Sequence, residues 1–249
     1  MIRLESLAAG GYFPTPPRVA DAIARHLAPA NAGRRGTVRI LDPCAGTGAA
    51  VARLAAALGA ESYGVDLHEG RAAAARDRLD HTLAGDAFAI RCANRAFSVL
   101  FANPPYDDTG DERRRLEHAF LTGLTRTLAS GGLLILIVPQ RRLELSARYL
   151  ASHYRDHAIF RFPDPEWAAY AQVVLFAQRR ETAWHDAAAE ARIRGWARGD
   201  LSPPSGASSS PAWSSMPPPP RPRRAARASG PRRPWPSSCG PPTSARCAR

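Results

Sequence analysis

Short apolar segments typical of β-strands alternate with helix-like segments from residue 10 to residue 180, and this alternation constrains the fold more than any other feature. The longest apolar run, LLILIV, suits a central strand of a parallel sheet and is too short to cross a membrane. The pattern predicts an α/β fold with a mostly parallel seven-stranded sheet, helices on both faces and a terminal antiparallel pair. The predicted strands are residues 37–41, 62–65, 81–84, 98–101, 133–138, 158–162 and 172–177, and the predicted helices are residues 16–27, 49–58, 71–79 and 113–128.

Two local signals refine this pattern. Thr15 is expected to cap the first helix, with Pro16 at its first position, where a missing N–H costs nothing. Gly131 and Gly132 are expected to turn the chain into the fifth strand. In open α/β sheets, ligands bind at the carboxyl ends of the strands. Polar residues and glycines cluster at the predicted strand ends, so the sequence predicts one shared pocket there.

The loop DPCAGTG, residues 42–48, joins the first predicted strand to a helix. Gly46 and Gly48 can adopt positive φ angles and allow a ligand to approach the backbone. A dinucleotide fingerprint requires a third glycine where Val51 stands, and the P-loop ending GK[ST] is missing. Asp42 would repel a pyrophosphate and suits a cationic ligand with hydroxyl groups, such as S-adenosylmethionine.

Two further carboxylates follow predicted strands. Asp66 is placed to accept hydrogen bonds from two ribose hydroxyls, and Asp86 to accept one from an adenine amino group. The alternative for each is an ordinary strand-end residue that faces water.

The motif Asn103-Pro104-Pro105-Tyr106 follows the fourth predicted strand. Pro104 holds Asn103 in an extended conformation, because the residue before a proline is driven away from helical angles. The two prolines also remove two backbone donors, which leaves an amide side chain and free carbonyls on a stiff spur. An ordinary strand-to-loop exit uses the same residue types, so the motif alone does not decide between the two.

These motifs resemble those of the class I S-adenosylmethionine-dependent methyltransferases, over roughly residues 10–180. FPTPP resembles the N-terminal cofactor motif of the amino-methyltransferase branch, DPCAGTG the first motif, YGVDL the second, GDAF the third and NPPY the catalytic fourth. The stretch as a whole, including HYRDHAIFRFPDPEWAAYAQVVLF, most resembles an uncharacterised bacterial group of NPPY methyltransferases. The resemblance implies the Rossmann-like fold of that class.

The resemblance also implies the site residues, with S-adenosylmethionine as the cofactor and no metal. The implied cofactor-binding residues are Phe13, Thr15, Asp42, Pro43, Ala45, Gly46, Gly48, Asp66, Leu67, Asp86 and Ala87. The implied catalytic residues are Asn103, Pro104, Pro105 and Tyr106. The Asn103 side-chain oxygen and the Pro104 carbonyl would accept the two hydrogens of a planar –NH₂ group, and Tyr106 would stack on the target ring.

The implied reaction is methylation of an exocyclic amino nitrogen of a nucleic-acid base. Adenine N6 in DNA is the favoured target. The alternatives are methylation of a glutamine side-chain amide in protein or of ribosomal RNA, and a catalytically silent binding module on the same fold. A nicotinamide-dependent oxidoreductase is disfavoured by the glycine spacing. Cytosine-C5 methyltransferases use a Pro-Cys nucleophile after the fourth strand, whereas Cys44 follows the first and is expected only to pack.

The chain divides into an expected methyltransferase domain, residues 1–180, a helical extension, residues 181–200, and a tail, residues 201–249. The tail holds eight arginines, 13 of the 23 prolines and no acid, so we expect it to be disordered. It is either an arginine-rich arm for nucleic acid or a frameshifted end of a GC-rich gene. Little sequence remains for reading a DNA sequence, so a separate target-recognition partner is a further expectation.

The four cysteines form no CxxC pair and no zinc-binding spacing, and no apolar signal segment follows Met1. These features predict a reducing, cytoplasmic setting. The formal net charge of +12 is compatible with a phosphate-bearing partner but does not require one.

Overall fold

The computed structural model of the chain describes residues 13–27, 38–106, 116–199 and 201. Three parts of the sequence predictions fall on residues outside these ranges. They are the tail beyond Leu201, the start of the methyltransferase domain before Phe13, and the first part of the helix predicted at 113–128. No helix within the described ranges has both the length and the apolar composition that crossing a bilayer requires.

The described residues form one seven-stranded sheet. Its strands are β1 (Arg39–Asp42), β2 (Glu61–Asp66), β3 (His81–Ala84), β4 (Phe97–Ala102), β5 (Leu128–Pro139), β6 (Tyr154–Arg161) and β7 (Gln172–Arg179). They lie in the order β3-β2-β1-β4-β5-β7-β6. The first five strands run parallel, and β7 lies antiparallel between β5 and β6. The predicted fold class is therefore confirmed.

Helices cover both faces of the sheet, because successive strand residues point to opposite sides. The helices are α1 (Pro17–Arg25), α2 (Ala49–Leu58), α3 (Glu69–Arg76), α4 (Leu116–Leu124), α5 (Leu143–His153), α6 (Glu166–Tyr170) and α7 (Ala187–Arg198). Leu134 and Leu136 belong to the core under α4, α5 and α7, whereas Ile135 and Ile137 belong to the core under α1 and α2.

The predicted turn at Gly131 and Gly132 is wrong, because both glycines lie inside β5. Between the pairs Phe97–Leu128 and Val99–Leu133, β4 advances two residues while β5 advances five, so the extra residues form an irregular bulge. Gly131 has φ 73°, and a Cβ on Gly132 would lie 2.8 Å from the Ala129 carbonyl oxygen. The glycines therefore permit a bulge instead of ending the strand.

The predicted cap of the first helix is also wrong. Pro16, not Thr15, is the N-cap residue of α1, and Pro17 is the first helical residue. The Thr15 hydroxyl instead accepts a hydrogen bond from the Asn103 side chain, at 3.1 Å. The Thr15 hydroxyl therefore takes part in a long-range hydrogen bond to Asn103 and does not provide the helix cap that the local sequence pattern predicts.

The helix predicted as an extension packs into the main core. Ala189, Ile193 and Trp196 of α7 are buried in the same cluster as the inward face of α5. The Gln140 side-chain amide also donates a 2.7 Å hydrogen bond to the Trp196 carbonyl. Residues of α7 therefore stabilise the sheet domain directly.

Trp196→Ala is expected to lower the free energy of unfolding by about 3–5 kcal/mol, because it removes a buried aromatic side chain. The matched control is Trp184→Ala, since Trp184 is 55% exposed and contacts mainly the Arg180 guanidinium. That change is expected to cost about 1 kcal/mol or less. Urea unfolding of both variants is the measurement, and equal losses would contradict a core role for α7.

Candidate active site

A cavity of about 580 Å³ opens at the carboxyl ends of β1, β2, β3 and β4. It brings together eleven of the fifteen sequence-predicted site residues: Phe13, Thr15, Asp42, Pro43, Ala45, Asp66, Leu67, Asp86, Ala87, Asn103 and Pro105. Gly46, Gly48, Pro104 and Tyr106 do not line it. Sequence reasoning missed several lining residues, including Cys44, His68, Arg71, Phe88 and Phe120.

The turn after β1 is tied to the end of β2. Gly46 and Gly48 adopt positive φ angles of 55° and 78°, as the glycine loop predicts. The Gly46 N–H donates a 2.9 Å hydrogen bond to the Asp66 carboxylate, and the Ala45 N–H donates one to the Val65 carbonyl. The two loops therefore form one rigid floor for the cavity.

The Asp66 carboxylate is held by three donors of this chain. Its Oδ2 accepts from Gly46, while its Oδ1 accepts from the His68 N–H and from Arg71 Nε, both at 2.9 Å. Oδ1 thus has both acceptor positions in use, whereas Oδ2 keeps one. Arg71 lies on α3, five residues after the acid, so the sequence offered only a weak signal for this ion pair.

Asp42 is buried at the end of β1, with a side chain only 2% exposed. Burial raises its pKa to about 7, because the ionised form loses solvation, and the nearby Asp66 carboxylate adds to the shift. The Cys44 N–H, which donates to Asp42 Oδ1 at 2.9 Å, opposes the shift. A cation that entered the cavity would favour the ionised carboxylate.

The wall formed by the β2 and β3 loops combines an acid with exposed apolar surface. Asp86 Oδ1 accepts from the Phe88 N–H at 2.8 Å and begins a short 3-10 helix, Ala87–Ala89. Leu67 is 75% exposed, and the Phe88 ring is also exposed. Exposed large side chains around a cavity are typical of a surface that a flat ligand covers.

The Asn103 amide is oriented by the segment before α1. Its Nδ2 donates to the Phe13 carbonyl at 2.9 Å and to Thr15 Oγ1 at 3.1 Å. A carbonyl only accepts, so these bonds assign the nitrogen and leave Oδ1 pointing the other way as an acceptor. FPTPP and NPPY, 90 residues apart, are therefore one structural unit.

Tyr106 occupies that acceptor. Its hydroxyl donates a 2.6 Å hydrogen bond to Asn103 Oδ1, and its ring stacks on Phe13 with centroids 5.7 Å apart. Burial raises the pKa of the Tyr106 hydroxyl above its usual range, and the Glu117 carboxylate adds to this shift, so the hydroxyl stays protonated. In this arrangement the ring is engaged with Phe13 and the hydroxyl with Asn103.

Several solved structures share this fold, and methyltransferases are among them. A class I S-adenosylmethionine-dependent methyltransferase of Listeria monocytogenes is 16% identical with a TM-score of 0.58, over 78% of this chain and 75% of that one. The tRNA (m1A58) methyltransferase TrmI of Aquifex aeolicus is 13% identical with a TM-score of 0.52, over 68% and 71%. The type IIG restriction endonuclease BpuSI is 17% identical with a TM-score of 0.55, over 72% of this chain and 27% of that one. No curated protein matched the chain.

The sheet order matches that of these structures and shows the Rossmann-like fold of the class I methyltransferases. A sequence model of an uncharacterised methyltransferase family (DUF6094) matches residues 2–201, so the chain belongs to that family. Its cofactor is S-adenosylmethionine. The cavity fits this group, since it joins a buried carboxylate suited to a cation with exposed apolar walls. Among the described residues, no cluster of three His, Cys, Asp or Glu side chains is arranged for a metal.

The raised pKa of Asp42 predicts a pH-dependent stability of the cofactor-free protein. A pKa raised from 3.8 to about 7 contributes stability below pH 3.8, and this contribution is lost as the pH rises through 7. Asp42→Asn is expected to abolish this loss, which amounts to up to about 4 kcal/mol. Urea unfolding between about pH 4 and pH 8 measures it, and Asp77→Asn, on the exposed end of α3, should keep the wild-type profile. A wild-type profile for Asp42→Asn would contradict the prediction.

Proposed function

We propose that the protein methylates an exocyclic amino nitrogen of a nucleic-acid base, adenine N6 in DNA first. The observation that carries the proposal is the orientation of Asn103. Asn103 lines the cavity, and its amide nitrogen is held by Phe13 and Thr15, so its oxygen is fixed as a hydrogen-bond acceptor. An acceptor held in this way suits a planar –NH₂ group, because such a group presents two in-plane hydrogens.

The cofactor is proposed to lie against the loops that follow β1, β2 and β3. Asp42 would face its cationic amino-acid end, Asp66 Oδ2 a ribose hydroxyl, and Leu67 and Ala87 the adenine ring. Full engagement of both Asp66 oxygens by a ribose would require Arg71 to release Oδ1. When bound, S-adenosylmethionine supplies an electrophilic sulfonium methyl group.

The chain's own contribution is proposed to be positioning. Asn103 Oδ1 and the Pro104 carbonyl would accept the two hydrogens of the target amino group and hold its nitrogen in line with the methyl group. The Tyr106 hydroxyl now makes the bond to Oδ1 that the target would make. Substrate entry would therefore displace Tyr106, and its ring would become available to stack on the base, a contact worth about 1–3 kcal/mol.

Two other substrates are alternatives to DNA, and one labelling experiment can distinguish all three. A glutamine side-chain amide also presents a planar –NH₂ group, and ribosomal RNA carries the same base amino groups as DNA. Incubation with methyl-labelled cofactor and separate DNA, RNA and protein fractions distinguishes them. Label confined to protein would defeat the nucleic-acid proposal.

Asn103→Ala is expected to lower kcat by about 100-fold or more, because it removes the oriented acceptor. Cofactor affinity, measured by calorimetric titration, should fall much less than kcat, because the loops after β1 and β2 keep their own hydrogen bonds even though Phe13 and Thr15 lose theirs to Asn103. An unchanged kcat would overturn the proposed role of Asn103. Cellular methylation that Asn103→Ala leaves unchanged, together with no methylation by the purified wild-type chain, would favour a silent binding module.

Tyr106→Phe is expected to keep methylation within several-fold of wild type, because the ring remains and Asn103 Oδ1 is freed. It should cost about 1 kcal/mol of unfolding free energy for the lost hydrogen bond. Tyr106→Ala should instead raise KM about tenfold or more, because stacking is lost. Steady-state kinetics of both variants provide the test, and loss of activity in Tyr106→Phe as severe as in Asn103→Ala would show that the hydroxyl itself is required.

A further inference from the structure

A second cavity, of about 670 Å³, opens at the opposite edge of the same sheet, where β1 and β4 begin. Its lining combines aromatic, apolar and basic side chains: Arg39, Tyr63, Ile90, Arg91, Cys92, Ala93, Ala96, Phe97 and Arg126. Its walls share no residue with those of the candidate active site. We call it the arginine cavity.

The arginine cavity exists because of how the chain crosses from β3 to β4. A crossover between parallel strands is usually built around an α-helix that covers the sheet. Here residues 85–96 contain one short 3-10 helix and otherwise irregular chain. Tyr63 therefore lies beneath a loop, stacked on His81 with centroids 4.4 Å apart and edge-on to Phe97 at 5.2 Å.

Three guanidinium groups line this opening. Arg126 is exposed, and its guanidinium makes long hydrogen bonds, 3.3 Å to the Ile90 carbonyl and 3.4 Å to the Asn94 side chain. It also interacts with the Cys92 thiol, another residue of the cavity lining. Within the described ranges, neither Arg91 nor Arg126 has a carboxylate within 4.0 Å. Arg39 is the exception, with Glu61 at 3.2 Å.

The acids beside the cavity are already engaged. Glu61 contacts both Arg39 and His81, the latter at 2.9 Å. Asp80 accepts from the backbone N–H and the hydroxyl of Ser62. The cavity therefore keeps an excess of positive charge next to a partly exposed aromatic floor, which complements a ligand that carries both phosphates and flat rings.

We infer that the arginine cavity binds the sugar–phosphate backbone of single-stranded nucleic acid outside the methylated nucleotide. The inference rests on the proposed function, since it supplies that substrate with a second point of attachment. One segment joins the two places: Gly85–Phe88 line the candidate active site, and Ile90–Ala93 line the arginine cavity. The β-strands β1 and β4, four and six residues long, separate the two edges of the sheet by about 13–20 Å. One extended single strand of nucleic acid can bridge this distance.

The test uses the full chain and a fluorescent single-stranded oligonucleotide of about 12 nucleotides, with binding followed by anisotropy over a salt series. Arg91→Glu with Arg126→Glu should lower affinity on the order of tenfold near 0.1 M salt. The slope of log affinity against log salt should fall by about 1.4, the value for two lost phosphate contacts. Arg91→Glu alone is the safer variant, because Arg91 makes no hydrogen bond or ion pair to another described residue, and it should show about half of the slope change.

Arg76→Glu with Arg148→Glu is the matched control, since both residues are exposed and line neither cavity. Equal losses in the control and the test variants would overturn the inference, as would wild-type binding by Arg91→Glu. Binding of inorganic phosphate or a mononucleotide without oligonucleotide binding would also overturn it.

The outcomes separate this inference from the proposed function. If arginine-dependent binding persists while no nucleic acid is methylated, the proposed reaction fails and the arginine cavity stands. If nucleic acid is methylated but oligonucleotide affinity does not depend on Arg91 and Arg126, the proposed reaction stands and the inference about the arginine cavity fails.

Discussion

The parallel pairing of β1 with both β2 and β4 is the constraint on which the site depends. In-register parallel strands end at one edge of the sheet, so the loops after three separate strands meet around one cavity. The pairing also forces each crossover to pass over a face of the sheet, and these crossings supply both the helices that bury the core and the loops that line the cavity. A bond between Gly46 and Asp66 then fastens two of those loops together.

Two buried carboxylates beside each other give the cavity its electrostatic character. Asp66 is satisfied by three donors, whereas Asp42 has one backbone donor and a raised pKa. In the cofactor-free protein, ionised Asp42 is unfavourable because it is buried with only one hydrogen-bond donor. A cationic ligand offsets this cost on binding, which favours a sulfonium- and ammonium-bearing cofactor over a phosphate-bearing one.

Two residues of the NPPY motif, Asn103 and Tyr106, are hydrogen-bonded to each other in this structure. Asn103 is oriented by two acceptors from the N-terminal segment, and its own acceptor is occupied by Tyr106. The same tyrosine is proposed to stack on the target, so its two positions are mutually exclusive. This competition couples substrate entry to the release of one hydrogen bond, a cost of about 1 kcal/mol that stacking can exceed.

The sequence by itself determined the alternation of strands and helices, the strand-end placement of Asp42, Asp66, Asp86 and Asn103, and the positive φ of Gly46 and Gly48, because these follow from local patterns of apolar residues, prolines and glycines. Only the tertiary structure decided what each polar group bonds. Thr15 binds Asn103 instead of capping a helix, Arg71 pairs with Asp66, and Gly131 and Gly132 serve a bulge inside β5. It also placed α7 in the core and left the arginine cavity uncovered. Several of these contacts join residues tens of positions apart, such as Thr15 and Asn103 or Gln140 and Trp196. Even the short-range pair of Asp66 and Arg71 was chosen from several possible partners, so no local pattern can rank them.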